Sequence, residues 1–97
     1  MTASTKFFVH VSALISQARL KCGFATLKEL YRVKEIQIDY QTWLHAEAGR
    51  RIPSPSTLVM ISDILQIDRE TMILAYCKDK FPDEESHQVI EIGRAHV

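Results

Sequence analysis

The fold is decided by the stretch IDYQTWLHAEAG at residues 38–49 of this 97-residue chain. Asp39 stands near its start, where a carboxylate can accept hydrogen bonds from the free N–H groups of a first helical turn. Larger side chains then recur at the i, i+3, i+4 and i+7 spacing of a helix, at Tyr40, Trp43, Leu44 and Glu47. Gly49 follows, and glycine tolerates the left-handed backbone that commonly ends a helix. The stretch therefore predicts a short helix bounded by Asp39 and Gly49.

Two helices are predicted upstream of this stretch. The first extends from about Phe7 to Cys22 and stops at Gly23. Thr26 and Glu29 have the spacing of a capping box, which starts the second helix. Residues 34–38 are mixed in character and are interpreted as a turn. The apolar positions of these two helices are Phe7, Val11, Leu14, Ile15, Ala18, Cys22, Leu27, Leu30 and Tyr31.

Two more helices are predicted downstream. Ser54 followed by Pro55 is a cap with proline at the first helical position, and this fourth helix extends to about Leu65. Asp68 can cap a fifth helix that ends near Lys78. The inward positions are Leu58, Ile61, Ile64 and Leu65 in the fourth helix and Met72, Ile73 and Tyr76 in the fifth. The sequence thus predicts an all-α fold, a compact bundle of about five short helices forming one domain over residues 1–80.

The remaining residues, 81–97, are interpreted as a separate tail. Phe81-Pro82 stops the fifth helix, and the acidic run at residues 83–86 is typical of a solvated segment. Residues 92–97, IGRAHV, look like the translation of a sequencing adapter. We therefore expect a disordered acidic tail with a non-native terminus, and we base no functional inference on it.

The overall composition is ordinary for a globular protein, with 46 % apolar and 25 % charged residues. No apolar run approaches the roughly 18 residues of a membrane span, and the N-terminus lacks the pattern of a secretion signal. The two cysteines, Cys22 and Cys77, have no CxxC spacing, and Cys22 is expected to be a buried structural thiol. These features predict a soluble cytoplasmic protein with no metal site and no membrane partner.

Charge is distributed unevenly although the formal net charge is zero. Residues 1–55 contain eight basic and four acidic side chains, whereas the rest of the chain contains four basic and eight acidic ones. A basic half can approach a phosphate backbone while an acidic half faces away. A split of this size also arises by chance in many soluble domains, so both interpretations stay open.

Residues 38–49 resemble the recognition-helix signature of a known family, the phage-repressor-like helix-turn-helix regulators of the XRE family. The signature places an apolar residue, a small cap, a second apolar residue and then E-x-G, which correspond here to Ile38, Asp39, Trp43, Glu47 and Gly49. The family often continues with basic residues and P-S-x-x-T-L, and this chain has two arginines followed by PSPSTL at residues 53–58. The resemblance extends from about Ser12 to Tyr76.

The resemblance implies a lambda-repressor-like DNA-binding domain that inserts its third helix into the major groove of double-stranded DNA. Many family members bind palindromic half-sites as dimers, so a homodimer is also implied. Two features depart from the family pattern. The turn before the third helix is about two residues longer and lacks glycine between Val33 and Ile38, while Tyr31 replaces a small residue. Leu44 occupies a place where a small polar residue is common. A longer turn can rotate the third helix relative to its usual pose.

The candidate DNA-contacting residues follow from this placement. In the third helix, Gln41 can pair with adenine, Thr42 and Tyr40 can donate to phosphate or base, and His45 can reach base or backbone. Leu44 can touch a thymine methyl group. The basic residues expected on phosphate are Lys28, Arg50 and Arg51.

Each assignment has a structural alternative. Trp43 is expected in the core, where the family packs an apolar side chain, and Tyr40 fits the core as well as a contact surface. Leu44 can pack against the longer turn instead of facing DNA. Glu47 is expected to be structural, bonded to nearby backbone or to an arginine, and Arg50 and Arg51 can be merely solvated.

Three functions are weighed. The first is a sequence-specific DNA-binding transcriptional regulator, and the second is a protein-interaction module or antitoxin-like modulator that keeps the scaffold without binding DNA. Zero net charge, the longer turn and the apolar Leu44 favour the second. The third is a fragment of a larger regulator.

Catalysis has little support in the sequence. The four histidines are scattered, and the chain has no glycine-rich phosphate loop or GxSxG elbow. We expect no enzyme activity, no cofactor and no small-molecule ligand.

Overall fold

A computed structural model describes residues 8–81, and this part of the chain folds into five α-helices without a β-strand. The helices are α1 (Val9–Lys21), α2 (Leu27–Val33), α3 (Tyr40–Ala48), α4 (Pro55–Leu65) and α5 (Arg69–Lys80). The all-α prediction is confirmed for these residues. Helix α1 begins at Val9 rather than Phe7, which lies outside the described residues, and α5 continues two residues past its expected end. Of the predicted tail at residues 81–97, Phe81 is described and residues 82–97 lie outside the described part.

The caps that the sequence predicts define most helix boundaries. The side chains of Thr26, Asp39, Ser54 and Asp68 each accept a hydrogen bond from a backbone N–H in the first turn of α2, α3, α4 and α5. At the other end of α3, Gly49 adopts φ +78°, a left-handed conformation that reverses the chain after the helix. Short helices with fixed ends hold their surface side chains in defined directions.

The core lies between α1 and the other helices. Helix α1 packs against α3, α4 and α5, and α4 packs against α5. The indole of Trp43 is fully buried in this core, as predicted. The other buried apolar residues are Val11, Ile15, Leu27, Leu30, Ile38, Ala46, Leu58, Ile61, Leu65, Met72 and Ala75. Burial of the inner stripe of each helix is the main source of stability.

Two predicted core positions are wrong. Ile73 is 52 % exposed, because the inner stripe of α5 is formed by Met72 and Ala75, which leaves the next residue turned away. Cys22 is also exposed, because α1 ends at Lys21 and the chain leaves the core at this point. The thiol donates a hydrogen bond of 3.3 Å to the carbonyl of Leu65 at the surface.

Helix α1 begins without a local side-chain cap, and a residue from α5 takes that role. The carboxylate of Asp79 accepts from the backbone N–H groups of His10 (3.1 Å) and Val11 (2.7 Å), and it lies 2.9 Å from the His10 imidazole Nδ1. Its side chain is only 2 % exposed. This contact joins the two ends of the described chain.

No helix within residues 8–81 combines the length and apolar character needed to cross a membrane.

Candidate nucleic-acid interface

The inner face of α3 is held by a buried ion pair. The guanidinium of Arg19 on α1 donates through Nε to Glu47 Oε2 (2.9 Å) and through Nη2 to Glu47 Oε1 (3.0 Å). The indole Nε1 of Trp43 also donates to Glu47 Oε2 at 3.2 Å, and Ser12 Oγ donates to the Glu47 carbonyl at 2.6 Å. Both side chains of the pair are nearly nine-tenths buried. The structural role expected for Glu47 is confirmed.

The ion pair takes one charge of each sign away from the surface of the first half of the chain. Arg19 is one of the eight basic residues in the first half of the chain, yet its charge is neutralised internally by Glu47. Its Nη1 donates to the Phe24 carbonyl at 2.7 Å, so all three guanidinium nitrogens of Arg19 donate hydrogen bonds within the protein. Because Glu47 is itself one of the four acidic residues of this half, the pair leaves seven basic and three acidic side chains there, and the basic excess is unchanged.

The outer face of α3 carries polar residues that the sequence predicts to contact DNA. Gln41 and Thr42 are exposed and His45 is half-buried. They line a groove of about 300 Å³ together with Arg51 from the segment that joins α3 to α4. Four of the candidate residues are thus brought together in one place.

The segment after α3 is positioned by the end of that helix. With Gly49 in the left-handed conformation, the backbone N–H of Arg50 donates to the carbonyl of His45 at 3.0 Å. This bond keeps the start of the segment against α3. Arg50 and Arg51 are exposed, and neither forms an ion pair with another residue of the described range.

The remaining candidates are placed differently. Leu44 is 39 % exposed, which disfavours its packing under the turn. Tyr40 is half-buried, and its ring lies edge-on to Tyr31 at 5.1 Å between centroids. Much of the Tyr40 side chain is therefore packed inside the protein and not exposed for a contact with DNA. Lys28 does not line the α3 groove and instead borders a separate hollow beside α2.

Sequence reasoning missed one basic residue beside Lys28. Arg32 is exposed and lines the same hollow. The two residues are separated by four positions on α2 and so share one face of that helix. The i, i+4 spacing in the sequence could have identified Arg32 as a second basic residue of the hollow beside α2.

Asp39 places a carboxylate at the edge of the α3 groove. Its Oδ2 accepts from the backbone N–H groups of Gln41 (3.0 Å) and Thr42 (3.3 Å). The carboxylate is therefore engaged in capping the helix, where it interacts favourably with the helix dipole. It also adds negative charge close to the candidate contact residues, which a polyanionic partner must tolerate.

The turn between α2 and α3 is held by Tyr31, the last aromatic residue of α2. Its hydroxyl donates to the Ile38 carbonyl at 2.8 Å, and its ring lies edge-on to Tyr40 and Trp43. Burial raises the pKa of the Tyr31 phenol to about 12, and the nearby Asp39 and Tyr40 contribute in the same direction. The phenol therefore stays protonated and able to donate at neutral pH.

No group of three or more histidine, cysteine or acidic side chains in residues 8–81 is arranged to hold a metal ion. No protein-family model, curated protein or solved structure matches this chain. The resemblance of residues 38–58 to the XRE family therefore stays a prediction, and function is inferred from the outer face of α3.

Proposed function

We propose that this protein is a sequence-specific double-stranded DNA-binding protein that regulates transcription in the cytoplasm. The observation that carries the proposal is the groove on α3, where Gln41, Thr42, His45 and Arg51 meet. The first three extend from a helix whose opposite face is buried and bonded to α1, and Arg51 lies on the segment that follows it. A rigid helix with polar residues on its free face is the element that proteins most often insert into the major groove.

The proposal gives each group a distinct role. Gln41 in the first turn of α3 pairs with an adenine edge, and Thr42 donates to phosphate or base. His45, one turn further, contacts base or backbone, and the exposed Leu44 touches a thymine methyl group. Arg50, Arg51 and Lys28 bind phosphate and supply the sequence-independent part of the affinity.

The homodimer implied by the resemblance belongs to this proposal. A module of this size has a limited contact area, which pairing with a second copy would double. Apolar side chains of α5 are exposed at Ile73 and Leu74, and Val9 borders the same groove as Leu74. Light scattering after size-exclusion chromatography measures the oligomeric state, and Leu74→Glu tests whether this surface contributes to it.

The first experiment is fluorescence anisotropy with a labelled mixed-sequence duplex at about 50 and 200 mM salt. Arg50→Ala/Arg51→Ala is compared with Lys78→Ala/Lys80→Ala, which removes the same charge from α5. We expect the arginine variant to reduce the slope of log affinity against log salt by about 2, and the lysine variant to leave it unchanged. An equal loss in both variants, or no binding at low salt by folded protein, would overturn the proposal.

A second candidate is a protein-interaction module, such as an antitoxin-like modulator, on the same scaffold. The observation that favours it is the exposed apolar side chain of Leu44 on the outer face of α3. The zero net charge also reduces the attraction to a polyanion. The two candidates differ in salt-dependent duplex binding, which only the first requires. Neither assigns a catalytic step to the chain.

A further inference from the structure

Most side chains of the turn that leads into α3 are exposed and polar. The turn comprises residues 34–39, and Lys34, Glu35 and Gln37 within it are exposed. Ile38 is buried, and Ile36 packs half-buried against the core. The two isoleucines anchor the turn to the core, but apolar packing is not directional, so a hydrogen-bonded tertiary contact is needed to select one conformation of its backbone.

Tyr31 supplies that contact from the last turn of α2. Its hydroxyl donates to the carbonyl of Ile38 at 2.8 Å and lies 3.4 Å from the carbonyl of Asp39, the cap of α3. Its ring packs edge-on against Tyr40 at 5.1 Å and Trp43 at 5.7 Å between centroids. One side chain thus contacts the end of the turn, the cap and the first turn of α3.

The two ends of α3 are held in different ways. The C-terminal end is bonded to α1 through Glu47, whereas the N-terminal end, which carries Gln41 and Thr42, depends on Tyr31 and the Asp39 cap. A helix of nine residues is only about 13 Å long, so a small displacement at one end tilts the whole axis. Bidentate pairing with a base edge does not tolerate such a tilt, whereas a phosphate contact by a flexible arginine does.

We propose that Tyr31 is a positioning residue for base recognition, and that its hydroxyl sets the sequence selectivity of DNA binding without contacting DNA. This inference rests on the proposed function. It explains how the longer turn between α2 and α3 is compatible with a fixed orientation of α3. The hydrogen bond to Ile38 holds the turn in one conformation, and the ring contacts transmit that conformation to Tyr40 and Trp43. Gln41 and Thr42 are thereby presented to the major groove in one orientation.

The test compares Tyr31→Phe with Tyr76→Phe. The first keeps the ring and removes only the hydroxyl, while the second makes the same chemical change on α5, where Tyr76 is half-buried away from the turn. Sequences bound by the wild type are selected from a duplex library with a randomised central segment. Affinities of all three proteins are then measured for the selected duplex and for a mixed-sequence duplex.

We expect Tyr31→Phe to lower the ratio of selected to mixed-sequence affinity by roughly three- to tenfold, the effect of losing one well-placed hydrogen bond. The affinity for mixed-sequence DNA and its salt slope should change by less than about twofold, since phosphate contacts do not need the exact pose of α3. Tyr76→Phe should leave both unchanged. A merely structural role for Tyr31 would weaken binding to both duplexes equally, and that outcome overturns the proposal.

A measurement without DNA separates this inference from the proposed function. Amide hydrogen exchange should be faster in Tyr31→Phe than in Tyr76→Phe at residues 36–42, with α1 and α4 unchanged. If the wild type binds no duplex, the proposed function is wrong, and so is the role of Tyr31 in base selectivity. The exchange data then still decide whether Tyr31 holds the turn in one conformation. Unchanged exchange at residues 36–42 removes the physical basis of the proposal even if DNA is bound.

Discussion

The two faces of helix α3 differ in what their side chains contact. On the inner face, Trp43 is fully buried and Glu47 accepts hydrogen bonds from Arg19, Trp43 and, through its carbonyl, Ser12. On the outer face, the side chains of Gln41 and His45 form no hydrogen bond with any other residue in the described range. One face fixes the helix in the fold, and the other leaves its polar groups available.

If the proposed function holds, this difference separates the residues that stabilise the fold from those that recognise DNA. Polar groups that are buried and bonded cannot change partner without a large loss of stability, because an unpaired buried group is costly. Polar groups on the exposed face of the same helix can be exchanged at little cost, yet their positions are as well defined as the helix itself. Substitutions on the two faces should therefore have opposite consequences.

The largest expected effect is on the inner face. Glu47→Ala should lower the free energy of unfolding by about 3–5 kcal/mol, because it leaves the Arg19 guanidinium buried without a carboxylate. Urea denaturation followed by far-UV circular dichroism measures this change. Glu35→Ala, in the exposed turn, is the matched control and should stay within about 0.5 kcal/mol of the wild type.

The double variant Arg19→Met/Glu47→Leu tests whether the unpaired charge is the cause. Replacing both partners by apolar side chains removes the ion pair without leaving a buried charge, so most of the lost stability should return. A double variant as unstable as Glu47→Ala would show that the other bonds of the pair dominate, from Trp43 Nε1 to Glu47 and from Arg19 Nη1 to the Phe24 carbonyl. If Glu47→Ala lowered the free energy of unfolding by less than about 1 kcal/mol, the inner face of α3 would not be the stabilising face.

The next effect concerns α1, the helix on which the inner face of α3 packs. Asp79→Ala should destabilise the fold by about 1–2 kcal/mol, because it removes the cap that the backbone N–H groups of His10 and Val11 share. Asp63→Ala is the comparison, since its pair with Arg69 is exposed and should contribute nothing measurable. Equal denaturation midpoints for the two variants would show that the α5 contact does not stabilise α1.

Helix boundaries follow from the sequence because their causes are local. The caps at Thr26, Asp39, Ser54 and Asp68 each act within three residues, and the structure contains all four. The core position of Trp43 was also predicted, from the place where the resembled family packs an apolar side chain, and Glu47 was expected to bond nearby backbone or an arginine. Local chemistry is therefore sufficient for the starts of α2 to α5.

The contacts between distant segments could not be predicted. Asp79 caps a helix that begins 70 positions earlier in the chain, and nothing in its own neighbourhood indicates that partner. The identity of Arg19 as the partner of Glu47, and the bond from Tyr31 to Ile38, likewise depend on how the helices pack. Ile73 was predicted to face the core but is exposed, because helical periodicity alone does not define the edge of the buried face of α5.

Alkaline pH offers a smaller and more local perturbation of the N-terminal end of α3. The pKa of Tyr31 is raised to about 12 in the folded protein, while an unfolded tyrosine has a pKa near 10. The contribution of this group to stability is therefore complete below pH 10 and is lost as pH rises from about 10 to 12, because only the unfolded chain releases the proton.

Tyr31→Phe isolates this contribution from those of other titrating groups. The stability difference between the wild type and the variant should fall on the order of 1 kcal/mol between pH 9 and 12, after allowance for the partial exposure of the ring. Denaturation at a series of pH values measures it, with Tyr76→Phe as the control. A difference that does not vary with pH would contradict the burial of the phenol as the cause.

The smallest effect on stability is expected on the outer face. Gln41→Ala should change the free energy of unfolding by no more than about 0.5 kcal/mol, because its side chain is exposed and alanine favours a helix. On the proposed function, the same substitution should reduce the preference for one base pair of a selected duplex by roughly tenfold, since it removes the side chain proposed to pair with adenine. Glu35→Ala, exposed but outside the groove, should change neither quantity. If Gln41→Ala destabilised the fold as much as Glu47→Ala, the outer face would be part of the structural core, and the separation of recognition from stability would fail.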